Sequence, residues 1–289
     1  VHFLEVISPY LYKVYVDHAE RDRTMRKEVL AGHAFQHYPA ARYAVDVTFQ
    51  QANMPSGSQQ ERAAYYSKKH KLHGYKMEVS VLPTGLAINC SHHYKGSEAD
   101  ITIFRKNKEF HVAAATKPAT DDNMPDDGPL KEEYPESWII LADKGYQGLA
   151  GEMRVVIPTR RRPSTPLTVD QEAINHDISS DRVVVENFFG RLCTLWSLCS
   201  DKYRWQEVRY ETFFRACLAL TDLHVRDHPL RAEDGERYRD YLRRLTTIGA
   251  ERRERRLEAN RRARRRRELR LEVAAADDDS DSTVMSNEY

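Results

Sequence analysis

The sequence predicts an α/β fold, a mixed sheet flanked by helices, and three observations carry that expectation. Short β-branched runs recur at "RYAVDVTF" (42–49), "GYKMEVSVL", "GLAINCSHH", "WIILAD" and "RVVIPT". The second and third are joined by "PTG" at 83–85, turn chemistry that makes them antiparallel neighbours. Stretches with helical spacing stand before, between and after these runs, as a layered α/β domain requires.

Taken in order, residues 1–40 read as a helical segment, possessing apolar positions at Leu4, Ile7, Leu11 and Val14. The run at 42–49 alternates and predicts a strand with Asp46 inside it. "SEADITIFRKN" (97–107) opens on a Ser-to-Asp100 spacing that resembles a capping box and predicts a helix start. "TKPATDDNMPDDGPLKEEYPES" (116–137) is rich in Pro, Asp and Gly and predicts a mobile surface loop. Beyond the strands at "WIILAD" and "RVVIPT", a polar loop is expected over 160–179. A long helical region from about Asp181 to His228 follows, with Leu218, Leu220 and Leu223 packed on the sheet and Pro229 ending it. From 231 the chain predicts a charged, solvent-exposed helix that ends in acidic "DDDSDS", expected to be disordered. The expected organisation is 1–40, an N-terminal helical segment and the cut remainder of a longer one; 41–230, the main domain; and 231–289, the Arg-rich helix and acidic tail.

At 289 residues, 40% hydrophobic and 31% charged, the chain has room for an enzyme core. No apolar run approaches the roughly 18 residues that span a bilayer, and the start lacks the pattern of a signal peptide. Cys90, Cys193, Cys199 and Cys217 are scattered outside any CxxC spacing, so reduced, intracellular, mostly core thiols are expected. The net charge of +1 hides an asymmetry: residues 251–270 hold eleven Arg against four Glu. Such a run suits a solvated helix, a nuclear-import signal or a contact to phosphate backbone.

Three acids stand among apolar neighbours: Asp46 in "YAVDVTF", Asp143 in "IILADKGY" and Glu186 in "RVVVENFFGRL". Each alone fits a cap or a structural ion pair. Together they need a shared cation, basic partners or a cleft edge, because burying them unpaired is costly. If the strands of Asp46 and Asp143 are neighbours, the two carboxylates lie side by side and a helix can bring Glu186 alongside. Clustered carboxylates without Cys or His suit hard Mg²⁺ or Mn²⁺ ions, two of which can cleave a phosphodiester.

"VDVTF", "YYSKKHKLHGYKMEVSVLPTGLAINCSHHYKGSEADITIF", "LADKGYQG", "VIPTRR" and "VVVENFFGRL", in that order, resemble the DDE-type endonuclease domain of PIF/Harbinger-like transposases over about residues 41–230. The resemblance implies a ribonuclease H-like fold, a catalytic and metal-binding triad at Asp46, Asp143 and Glu186, and two-metal cleavage of DNA at transposon ends. In that scheme water attacks first and a freed 3′-hydroxyl second. Asp100 matches a further acidic position, ranked below the triad because a helix cap also explains it. Arg182, four residues before Glu186, suits a pair with that Glu or a phosphate contact. Lys68, Lys69, His70 and Lys71 in "SKKHK" suit backbone phosphates or an exposed charged turn.

Departures accompany the resemblance. Val47 stands where the family often has Gly, and the usual helical DNA-binding module is absent or reduced to residues 1–40. This leaves end recognition open, a separate DNA-binding protein being one candidate for it, and a nuclear location is expected for a eukaryotic source. His33 with His37 and His224 with His228 have i, i+4 spacing, but neither pair has the ligands to close a zinc site. The main rival is a domesticated, catalytically inactive relative that binds DNA or protein. A coiled-coil scaffold explains only the charged C-terminal helix, which lacks apolar heptads.

Overall fold

The computed structural model describes residues 2–162 and 165–284, with side chains described up to 273. Two compact units divide the chain, residues 1–243 and 244–289.

The first unit opens with helices α1 (His2–Tyr12), α2 (His18–Asp22) and α3 (Met25–Leu30), the first two joined by a π-helical stretch at Lys13–Asp17. Strand β1 (Ala41–Gln51) follows, then α4 (Gln59–Tyr65), β2 (Tyr66–Ser67), β3 (Leu72–Val81), β4 (Ala87–Cys90) and β5 (Tyr94–Lys95). Helices α5 (Asp100–Lys106) and α6 (Lys108–Ala115) precede β6 (Ile139–Leu141) and β7 (Val155–Val156). Helices α7 (Val169–Leu195), α8 (Ser197–Ser200), α9 (Tyr210–Asp227) and α10 (Ala232–Val284) complete the described chain.

Among the described residues the sheet has seven strands, in the order β2-β3-β1-β6-β7 with β4 and β5 also on β3. β1 and β3 run antiparallel with Asp46 opposite Val79, while β6 lies parallel to β1 and β7 parallel to β6. The turn at 83–85 forms as the sequence predicts, with Gly85 at φ +85°, a conformation a side chain would strain. β1 is buried on both faces because helices cover both, so its apolar residues run together instead of alternating. One face packs Tyr43, Val45, Ile140 and Phe104, and the other packs Ala44, Leu141, Trp138 and Ile178 of α7.

Several local expectations change. The Ser97 spacing does not cap α5: the cap position is Ala99, without a side-chain bond, and Asp100 is the first helical residue. α7 begins at Val169, twelve residues before the expected start, because Thr168 and Gln171 form a reciprocal capping box. It stops at Leu195, where Trp196 turns extended, so the long helical region is broken into α7, α8 and α9. The segment 116–137 is irregular but anchored, since Asp126 is buried against Arg154 and Lys117. Within α10, Tyr238 donates to Thr48 Oγ1 at 3.3 Å, so the first turns of the expected tail pack on β1. The acidic run at 277–282 falls within this helix, and its side chains lie outside the described residues. All four cysteines are free, three of them buried.

Candidate active site

β1 is buried along its length except at Asp46 and Val47, which are half-buried. There a pocket of about 280 Å³ opens, lined by Asp46, Val47, Lys69, Asp143, Arg182 and Glu186 with parts of α10. Three elements bring the acids to it. β1 and β6 are in register at Ala44 and Leu141, so the next positions on that face are Asp46 and Asp143, side by side. Asp143 stands just past the end of β6 and accepts, through its carbonyl, the Tyr146 N–H at 3.0 Å, which folds "KGY" into a tight turn. α7 presents Arg182 and, one turn on, Glu186.

Arg182 dominates the electrostatics. Its Nη2 donates to Asp46 Oδ2 at 3.1 Å and its Nη1 lies 3.7 Å from Asp143 Oδ1, with the side chain only 5% exposed. The third guanidinium nitrogen, Nε, is buried without a hydrogen-bond partner. The Val47 N–H donates to Asp46 Oδ1 at 2.7 Å. Burial nevertheless outweighs Arg182, and with the nearby charge of Asp143 it pushes the Asp46 carboxyl up to about 6. Glu186 lies 3.9 Å from Arg239 Nη1 of α10.

The remaining predicted residues separate. Asp100 pairs with Lys76 at 2.8 Å and does not line the pocket, though it sits close behind the Asp143 turn. A Cβ on Gly145 would come within 2.9 Å of its Oδ2, which explains glycine there. Lys69 lines the pocket and Lys68 is exposed nearby, while Lys71 takes a left-handed turn at φ +56°. His70 is buried and stacked on Phe49 at 4.6 Å. Burial, followed by Lys69 and Lys76, lowers it to about 4, so at neutral pH it presents no cation to phosphate.

Sequence reasoning missed two supports. Arg239 and Tyr238 close the pocket from a segment read as solvent-exposed tail, although Tyr238, Tyr241 and Leu242 carried the i, i+3, i+4 signal of a buried face. Behind the "KGY" turn, the Tyr146 hydroxyl donates to Glu78 Oε2 at 3.3 Å, and Glu78 Oε1 meets His111 Nε2 at 2.9 Å. The Tyr43 hydroxyl bonds His111 Nδ1 at 2.8 Å. This fully buried network sets the turn, and through it Asp143.

Among the described residues no three His, Cys, Asp or Glu side chains converge closely enough to hold one ion. The donor set still fits a hard divalent cation: two carboxylates already share one cationic group, the Arg182 guanidinium, which stands where an ion would balance them. The histidine pairs are otherwise engaged. His33 lies 3.5 Å from Glu28 and His37 3.3 Å from Asp177, while His224 contacts Arg191 and stacks on His228.

The site is thus a pocket on a mixed α/β sheet in which three carboxylates face three cationic side chains, with Asp143 at the carboxyl end of β6. The family follows from comparison: the model of the DDE superfamily endonuclease family matches residues 45–222, more than half of the chain, and the chain belongs to that family. No curated protein and no solved structure matches it.

Proposed function

We propose that the chain is a divalent-metal-dependent DNA endonuclease of the PIF/Harbinger transposase type, cutting phosphodiester bonds at transposon ends and joining the freed 3′-hydroxyl to target DNA. The observation that carries this reading is the placement of Asp46 and Asp143 side by side, facing one pocket with Glu186 across it. A ribonuclease H-like fold is supported by the order of the sheet, with the Asp46 strand central between an antiparallel and a parallel neighbour.

In this reading Asp46, Asp143 and Glu186 hold Mg²⁺ or Mn²⁺. Held there, such ions would supply the activation of water and the charge stabilisation that phosphodiester cleavage needs. The chain's own part is positional and electrostatic. Three carboxylates repel a phosphate unless cations balance them, so Arg182 neutralises the aspartate pair in the free protein. Once freed from that pair, its guanidinium is placed to take the scissile phosphate through charge-assisted bonds. Lys69 at the pocket wall draws the backbone inward. Asp100 remains with Lys76 as a support of the Asp143 turn. The Arg-rich helix suits nuclear import or a contact to phosphate backbone.

Asp143→Asn is expected to abolish Mg²⁺-dependent nicking of terminal-repeat DNA while the circular dichroism spectrum stays that of the parent. Nicking at the parental rate would sink the assignment. The rival reading, a binding-only relative, draws on Arg182, which already hydrogen-bonds Asp46 and stands 3.7 Å from Asp143. Such a protein would bind the same DNA and show no metal-dependent nicking in either form.

A further inference from the structure

A second concave surface is formed in part by the turn that follows Asp143. It is a groove of about 870 Å³ between the "KGYQG" turn, the loop after β7 and the Pro129–Leu130 bend. β6 and β7 are parallel, so the turn after Asp143 and the loop after β7 leave the sheet at the same end. Ligands in open α/β sheets collect at that end. Gln147 and Gly148 form one wall, four and five residues beyond Asp143, and Arg160, Arg161 and Arg162 form the other.

The segment that leads into the three arginines is tethered at Pro158 and Thr159. Gln147 Nε2 donates to the Pro158 carbonyl at 2.9 Å and ties the turn to the loop. Asn175 of α7 accepts the Thr159 N–H at 2.6 Å and donates to the Thr159 carbonyl at 3.0 Å. The same helix carries Arg182 and Glu186, so the arginines are referenced to the acidic pocket through one rigid element.

Three exposed arginines in a loop are ordinarily a solvated turn. Charge balance argues otherwise here. Several arginines of this unit pair with carboxylates, among them Arg105 with Glu152, Arg154 with Asp126 and Arg191 with Asp234, while others such as Arg42 and Arg62 donate to backbone carbonyls. Among the described residues no carboxylate lines this groove. The groove also lacks aromatic side chains, so it offers no stacking platform for unpaired bases. Exposed guanidinium groups that follow a tethered Pro158–Thr159 segment match a row of phosphates.

We propose that this groove is a track for the backbone of duplex DNA flanking the cleavage position, with Arg160, Arg161 and Arg162 contacting successive phosphates without reading bases. The inference rests on the nuclease reading for its choice of DNA, and its test is independent of cleavage. The full-length chain carrying Arg160→Gln, Arg161→Gln and Arg162→Gln is compared with the parent for binding a fluorescent duplex, without divalent metal, over a range of salt. The C-terminal arginines are common to both proteins and cancel. Each lost phosphate contact lowers the slope of log affinity against log salt by about 0.9, so a reduction of roughly 2 to 3 is expected, equal on scrambled duplexes. The triple lysine variant is expected to stay near the parental slope, which separates loss of charge from misfolding. An unchanged slope in the glutamine variant overturns the proposal, as does a loss confined to one DNA sequence or to single strands. Failure of nicking with an intact slope difference would instead count against the nuclease reading alone.

Discussion

Arg182 is the residue on which the acidic pocket turns, because a single buried guanidinium holds two carboxylates that would otherwise repel. Its role was half visible in the sequence. The spacing to Glu186 put both on one helix face, yet the partner proved to be the aspartate pair, since strand register decides which charges meet. That Asp46, Asp143 and Glu186 share one pocket was foreshadowed by their apolar neighbours, since a carboxylate inside an apolar run is costly to bury away from a cleft. Arg239 and Lys76 were not, because their partners lie across the fold and no local pattern names them. Gly190 offers a test at this scale. A Cβ there would come within 1.7 Å of the Asp234 carbonyl, a backbone atom that cannot move aside cheaply. Gly190→Ala is expected to cost about 1–3 kcal/mol and lower the thermal midpoint by several degrees. An unchanged midpoint in a melting scan would refute the close approach of α7 and α10.

At the scale of elements, the strands were readable from their β-branched runs, whereas the α7 start was missed, because the polar residues after Thr168 and Gln171 hid their capping signal. The segment 116–137 was opaque. Its composition is that of a free loop, but Asp126 is buried with Arg154, whose guanidinium also donates to the carbonyls of Gly128, Pro129 and Ser137. Burial alone would raise the Asp126 carboxyl, but Arg154, Lys117 and the Gly128 N–H outweigh it and hold it far below the usual range. A depressed carboxyl contributes stability above its unfolded value of about 4 and loses it progressively as the pH falls below that. Urea midpoints of the parent are therefore expected to drop between about pH 5 and pH 2, and Asp126→Asn to show a shallower drop. The variant is expected to start about 3 kcal/mol lower, because Arg154 is left buried without its counter-charge. Parallel pH curves for the two proteins would remove Asp126 from this role.

For the whole molecule, the near-zero net charge conceals a separation of roles between the folded unit and the basic helix. Residues 251–273 are exposed throughout, and the charged pairs found there are between helix neighbours, such as Arg255 with Glu251 and Arg264 with Glu268. Exposed pairs of this kind contribute little. A chain stopped at residue 250 is expected to melt within about 2 °C of the parent. A larger fall would mean that the segment packs. The central claim is that the Asp46–Asp143 pair is a cation site, and calorimetric titration with Mn²⁺ addresses it most directly. The parent is expected to bind Mn²⁺ with a saturable heat, and Asp46→Asn and Asp143→Asn each to lose that heat while remaining folded. Equal heats in parent and variants, or no binding in the parent, would contradict it.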